Sequence, residues 1–258
     1  MSDLIGVGID GTAASRAAVE WAVHRAESEN LSLVLLHVAG NTAYAASESD
    51  SLVRAELDYA RAIWPRITMA FEIHHGEPEK VLAEEARRFV LLVVGTHKTG
   101  FLRGRAFGSI SLRLAAAVAT PLAVIPISSA STRHGVVVGI DDELNAVPPL
   151  RHGADEALRL NSLLTLIYAQ APDSTSPMSS ALELVKNEYP SVEVCAREVL
   201  GVAGEVLINA AASAEVLFIG GPGPNPGLGA VGYDVLLNVS GPTILVPLER
   251  ETATVVAN

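Results

Sequence analysis

The chain has 258 residues, 49% of them hydrophobic, and a net charge of −11. That length suits two domains, each able to bury a core without staples; the lone cysteine, Cys195, excludes an internal disulfide and fits a reducing compartment. The acidity argues against nucleic acid as a partner, no basic n-region opens the chain, and the longest apolar run, LAAAVATPLAVIPI, is short and broken by proline, so the expectation is a soluble cytoplasmic protein without signal peptide or membrane span.

In chain order, strand-length apolar runs are expected at Leu4–Asp10, Leu31–Val38, Arg66–Ile73, Phe89–Val94 and Pro121–Ile127. Helical patterns lie between them at Ala13–Ala26, Glu48–Ala62, Pro78–Arg88 and Ser109–Val118, with a polar loop at Asn41–Ser47. Pro78 after Gly76 punctuates a helix start. Strands alternating with helices mean right-handed βαβ units and a parallel sheet. The order then repeats. IGVGID ending at Asp10 returns as VVVGID ending at Asp141, an offset of 131 residues; VLLVVG ending at Gly95 returns as EVLFIG ending at Gly220; and TPLAVIPI from Thr120 returns as GPTILVPL from Gly241. The expected division is a first domain at 1–127, a polar linker at 128–135, a second domain at 136–250 and a tail at 251–258. The eight-residue linker keeps the copies adjacent. The two closing strands, both apolar, are the expected meeting edges.

The segment Gly95–Ser109, GTHKTGFLRGRAFGS, carries Lys98, Arg103 and Arg105 and no acid. No acid occurs between Glu85 and Asp141, while Arg87, Arg88, Arg113 and Arg133 also fall there. Its glycines let backbone approach a ligand, and Ser109 would cap the next helix, whose free N–H groups attract anions. In an open parallel sheet, ligands bind beyond the carboxyl ends of strands at the switch point, which places this loop beside Asp10 if the first and fourth strands are neighbours. On composition alone, a phosphate wrap and a plain solvated loop are about equally supported.

Gly95, two residues, Lys98, nine residues and Gly108-Ser109, together with GIDGT, LLHV and TPLAVIP, resemble a tandem universal stress protein. The resemblance implies an adenine nucleotide α-hydrolase-like, Rossmann-like α/β fold: two five-stranded parallel doubly wound sheets in strand order 3-2-1-4-5. It implies ATP, or ADP, AMP or cyclic AMP, possibly with Mg²⁺, held by Ile9, Asp10, Val38, Gly95, Thr96, Lys98, Gly108, Ser109 and Ile110. In that assignment Asp10 holds the ribose, Val38 meets adenine through its backbone, Gly95 lies near the ribose, and Gly108, Ser109 and the Ile110 N–H bind phosphate. Lys98 stands where the family's second glycine would, and its ammonium can reach a phosphate. The resemblance also implies that the copies pair as an intramolecular pseudo-dimer, and a homodimer of whole chains is compatible with it.

The copies differ in charge. Residues 1–135 carry 13 basic and 14 acidic residues; residues 136–258 carry 5 and 15. The second loop, GGPGPNPGLGAVGY, has no basic residue, places Tyr233 where Ser109 would align, and follows Asp141-Asp142-Glu143, with Ala169 standing for Val38. Its expected role is structural, although Asp141 would still admit adenosine without phosphates. The expected function is a nucleotide-binding stress-response regulator with no catalytic residues; a slow Mg-dependent ATPase and a nucleotide-free scaffold are the rivals.

Other signals are set aside. GVGIDG spells G-x-G-x-x-G, but its first two glycines lie inside a strand. His74-His75 reads as surface rather than metal, His37 as a packed strand residue, and Cys195 as an inert core thiol. Trp21 and Trp64 read as helix packing, and Glu84 to Arg88 as a solvated face with i,i+3 pairs.

Overall fold

The computed structural model describes residues 3–39, 43–97, 110–127, 132–141, 143–170, 176–222 and 227–248. The first half runs β1 (Leu4–Gly8), α1 (Ala13–Glu29), β2 (Ser32–Ala39), α2 (Ala43–Ile63), β3 (Met69–His75), α3 (Pro78–Glu85), a 3₁₀ turn (Ala86–Arg88), β4 (Leu91–Thr96), α4 (Ile110–Ala117) and β5 (Leu122–Pro126). The second runs β6 (Val136–Ile140), α5 (Glu143–Leu160), β7 (Leu164–Gln170), α6 (Met178–Glu188), β8 (Val194–Leu200), α7 (Ala203–Ala211), β9 (Val216–Gly220), α8 (Ala230–Leu237) and β10 (Thr243–Val246).

The strands form one sheet in the order β3-β2-β1-β4-β5-β10-β9-β6-β7-β8. Each half thus has the 3-2-1-4-5 order, and all pairings within a half are parallel. In place of two separate sheets there is a single one, because β10 pairs antiparallel with β5, Thr243 opposite Val124 and Leu245 opposite Leu122. Period-two alternation sends successive strand residues to opposite faces. Ile5, Val7, Leu33 and Leu35 pack with Ala18, Ala22 and Val23 of α1 on one face; Val34, Leu36, Leu92 and Val94 pack with Leu82 and Leu114 on the other. Both cores run through β5 and β10 into the second half.

Local sequence explains the boundaries. Thr12 is the N-cap of α1, its hydroxyl accepting from the Ser15 N–H at 3.2 Å, and Asn30 closes the helix in the left-handed region at φ 54°. Asn161 repeats that turn at φ 48°. Helix α2 starts at Ala43, inside the expected polar loop, because Ala43, Ala45 and Ala46 favour helix. Strand β3 starts three residues later than expected, since Pro65 opens a turn closed by the Ile67 N–H on the Trp64 carbonyl. Cys195 is half-buried on the edge strand β8 rather than a core thiol. Trp21 and Trp64 pack against the core, as expected of helix packing residues. Arg133, in the segment joining the halves, donates to the carbonyls of Ala211, Ala212, Ala214 and Ser240, so it caps the end of α7.

Arg88 forms the expected i,i+3 pair with Glu85 and also clasps Glu72 of β3 through both terminal nitrogens, at 2.7 Å each. His74 joins this network at 3.1 Å from Glu72. Glu72, His74 and Glu85 lie close enough together to suit a metal, but the one cation Arg88 pairs with both carboxylates, and His75 is exposed. The Arg88 hydrogen bonds outweigh burial, and with His74 they lower the Glu72 pKa from 4.5 to about 2. A lowered carboxylate pKa contributes stability that is complete above 4.5 and is lost as pH falls toward 2. The wild-type urea midpoint is therefore expected to drop over that window, and Arg88→Ala to flatten the drop. Parallel pH profiles of the two proteins would remove Glu72 as its source.

Candidate functional site

Beyond β1 the chain stays with β2: the Ile9 N–H donates to the Leu36 carbonyl at 2.8 Å. The Ile9 carbonyl lies 2.9 Å from His37 Nδ1, which fixes that ring at the strand ends. Gly11, at φ 76°, then turns the chain toward α1. Asp10 Oδ1 accepts from both the Thr12 N–H at 3.0 Å and the Thr12 hydroxyl at 2.6 Å, so the acid braces the residue that caps the helix. Burial pushes the Asp10 pKa up, but the Thr12 and Ser15 hydrogen bonds and the nearby His97 outweigh it, and the net shift is downward. Asp10 is thus a carboxylate at neutral pH, with acceptor capacity beyond those two bonds.

Strands β1 and β4 are neighbours, paired from Ile5–Leu91 to Gly8–Val94, so the switch point falls between them. A cavity opens there, beyond the carboxyl ends, as open α/β sheets arrange. Ile9, Asp10, Val38, Gly95 and Ile110 all line it. Leu36, Val38, Leu82 and Val94 make an apolar wall, suited to a flat ring; Asp10, Thr12, Ser15, His37 and His97 supply the polar side. Thr96 does not line the cavity; its side chain is buried where β4 pairs with β5. Lys98, Gly108 and Ser109 lie outside the described residues, as do Arg103 and Arg105. Three other cations of the acid-free stretch are engaged elsewhere: Arg88 with Glu72, Arg113 with Glu79 at 2.8 Å, and Arg133 with backbone carbonyls.

Sequence reasoning missed Thr12, Ser15 and His97. Thr12 carried a legible signal, a threonine just before a helical run; His97 sat in the quoted loop without a distinguishing mark. Gly95 also has a packing reason to be glycine: a Cβ there would overlap the Ala14 carbonyl and lie 2.7 Å from the Ser15 nitrogen.

The second half differs more than the sequence suggested. Thirteen residues separate β4 from α4, and nine separate β9 from α8. The N-cap of α8 is Gly229, with no side chain to cap it, and Tyr233 lies inside the helix, its N–H donating to the Gly229 carbonyl. Tyr233 therefore lies within α8 rather than just before it, where the sequence alignment had it; the shorter loop starts the helix earlier.

Strand order, switch-point cavity and braced acid define a doubly wound α/β protein with a crevice at the strand ends. Residues 1–126 match the sequence model of the Universal stress protein family. A universal stress protein of Mycolicibacterium smegmatis is 33% identical over 132 residues, which span 46% of this chain and 44% of that relative, less than half its length. The universal stress protein Rv1996 of Mycobacterium tuberculosis is 25% identical over 96% of both chains. The crystal structure of a universal stress protein from Archaeoglobus fulgidus shares the fold, with a TM-score of 0.72 at 16% identity over 96% of this chain and all of that one. Residues 1–126 thus form a domain of the universal stress protein family. No helix among the described residues is long and apolar enough to cross a membrane.

Proposed function

We propose that the chain is an adenine-nucleotide-binding regulator whose first domain, residues 1–127, holds ATP or a related nucleotide, with Mg²⁺ shielding the phosphates. The observation that carries this reading is the cavity between β1 and β4, which combines an apolar wall with a carboxylate held ready for hydroxyls. Asp10 would take the ribose, the Val38 backbone the adenine edge, and the α4 N-terminus with Gly108, Ser109 and Lys98 the phosphates. Asp10 is the single carboxylate among the described lining residues and is braced by Thr12, which supports binding rather than catalysis. Residues 128–135 are the linker and 136–250 the second domain. The antiparallel β5–β10 contact supports an intramolecular pseudo-dimer, and the cytoplasm as its location belongs to the same reading.

Titration calorimetry with MgATP tests this. Asp10→Ala and Ser109→Ala are each expected to weaken binding by about 1 to 3 kcal/mol, the cost of a lost hydrogen bond to a polar or charged group. Unchanged affinity in both variants rejects the assignment.

A further inference from the structure

One crevice lies beyond the ends of β1 and β4, and a second beyond the ends of β6 and β9. A further cavity lies between the halves, on the face of the sheet where α1 packs on β5 and α5 on β10. Its volume of about 350 Å³ is at the small end of ligand sites. Trp21 of α1, Leu160 at the end of α5, and Val216 and Pro242 at the amino ends of β9 and β10 give it apolar walls.

The charges around it leave one acid over. Arg25 meets Glu29 at 3.0 Å and Glu156 at 2.9 Å, and Arg159 meets the same two acids at 3.5 and 2.6 Å. Two cations and two acids thus close a ring. Arg133 donates to backbone carbonyls. Glu215 lines the cavity half-buried, and its Oε2 is shut from solvent and accepts no hydrogen bond. Burial first, then the charge of Glu156, push the Glu215 pKa up against the pull of His134 and Arg159. The repeat that aligns VLLVVG with EVLFIG puts Val90 at the matching position, and Val90 lines the mate cavity on the other side of the ring. The fold therefore does not need an acid at the start of β9.

We propose that the cavity between the halves binds a small organic monocation, its ammonium group at Glu215 and its apolar stem against Trp21, Leu160, Val216 and Pro242. A buried carboxylate oxygen without a donor is costly, and a donor that carries a positive charge also relieves the repulsion between Glu215 and Glu156. An anion would add to that repulsion, and the ring already holds Arg25 and Arg159. A metal ion lacks a ligand set here: among the described residues, the group of side chains close enough for one is Glu72, His74 and Glu85, on β3 and α3. The apolar walls suit a stem rather than a hydrated ion.

Ligand-observed NMR titration of the full chain with butylammonium tests this, with butanol and butyrate as neutral and anionic probes of the same length. Butylammonium is expected to bind saturably at one site, and the other two far more weakly. Glu215→Gln should weaken butylammonium by about tenfold or more, as expected when a charged partner is lost. That variant should keep a melting temperature at or above wild type, because an uncharged side chain is less costly to bury. Leu160→Trp, which fills the cavity, should abolish binding. The proposal is overturned if wild-type protein shows no saturable binding, if Glu215→Gln leaves the affinity unchanged, or if butanol binds as tightly as butylammonium.

Discussion

Gly95→Ala is expected to destabilise the protein by about 3 kcal/mol, at the upper end for overpacking a core position. The added methyl would meet backbone rather than a yielding side chain: the Ala14 carbonyl and the Ser15 nitrogen, in the first turn of α1. Relief requires α1 to move away from β4, and α1 carries the Thr12 cap that Asp10 braces. The melting temperature should fall by about 10 °C for a chain of this size, and nucleotide affinity should fall with it. Gly229→Ala is the control, because nothing lies within 4 Å of its Cβ and its φ of −59° suits alanine; it should change stability by under about 1 kcal/mol. A wild-type melting temperature in Gly95→Ala would show that the α1–β4 contact is looser than described. Loss of binding in this variant would report the helix position, so it is no test of a ribose contact at Gly95.

Glu156→Ala carries the second large effect. Glu156 is 3% exposed and takes Arg25 of α1 at 2.9 Å and Arg159 of its own helix at 2.6 Å. Arg159 also reaches Ser28, and both arginines approach Glu29, so the network ties the two halves beneath the sheet. Removing Glu156 takes from both arginines their most buried acid and leaves Glu29 as the remaining one, at about 3 kcal/mol, the low end for breaking a buried pair. Urea denaturation should show a lower midpoint, and a single transition should separate into two as α1 and α5 lose their shared acid. Glu156→Gln, which can still accept hydrogen bonds, should lose less. A midpoint matching wild type in Glu156→Ala would mean that water already serves both arginines.

The strand–helix alternation, the repeat and the switch-point crevice were all legible because they rest on periodicity and on residues next to each other in sequence. Asn30 and Asn161, placed 131 residues apart and both left-handed, show that even turn chemistry follows the repeat. What was not legible depends on contacts between distant segments. Nothing local reveals that Arg88 turns toward Glu72, or that Arg133 caps α7. Loop length misled for a similar reason. Aligning Gly232-Tyr233 with Gly108-Ser109 assumed equal helix starts, yet α8 begins at Ala230, where Gly229 lets the chain enter the helix early. For the cavity itself, Asp10, Val38 and Gly95 were marked by their place at strand ends, whereas Ser15 belongs to it only because α1 leans on β4.

The antiparallel contact of β5 with β10 reverses the polarity of the sheet at its midpoint. The carboxyl ends of β1–β5 therefore form one rim of the ten-stranded sheet, and those of β6–β10 form the opposite rim. Each crevice opens on its own rim, with the full strand length between them. The described lining residues of the two crevices have no member in common. A macromolecule docked on one rim would leave the mouth of the other crevice accessible.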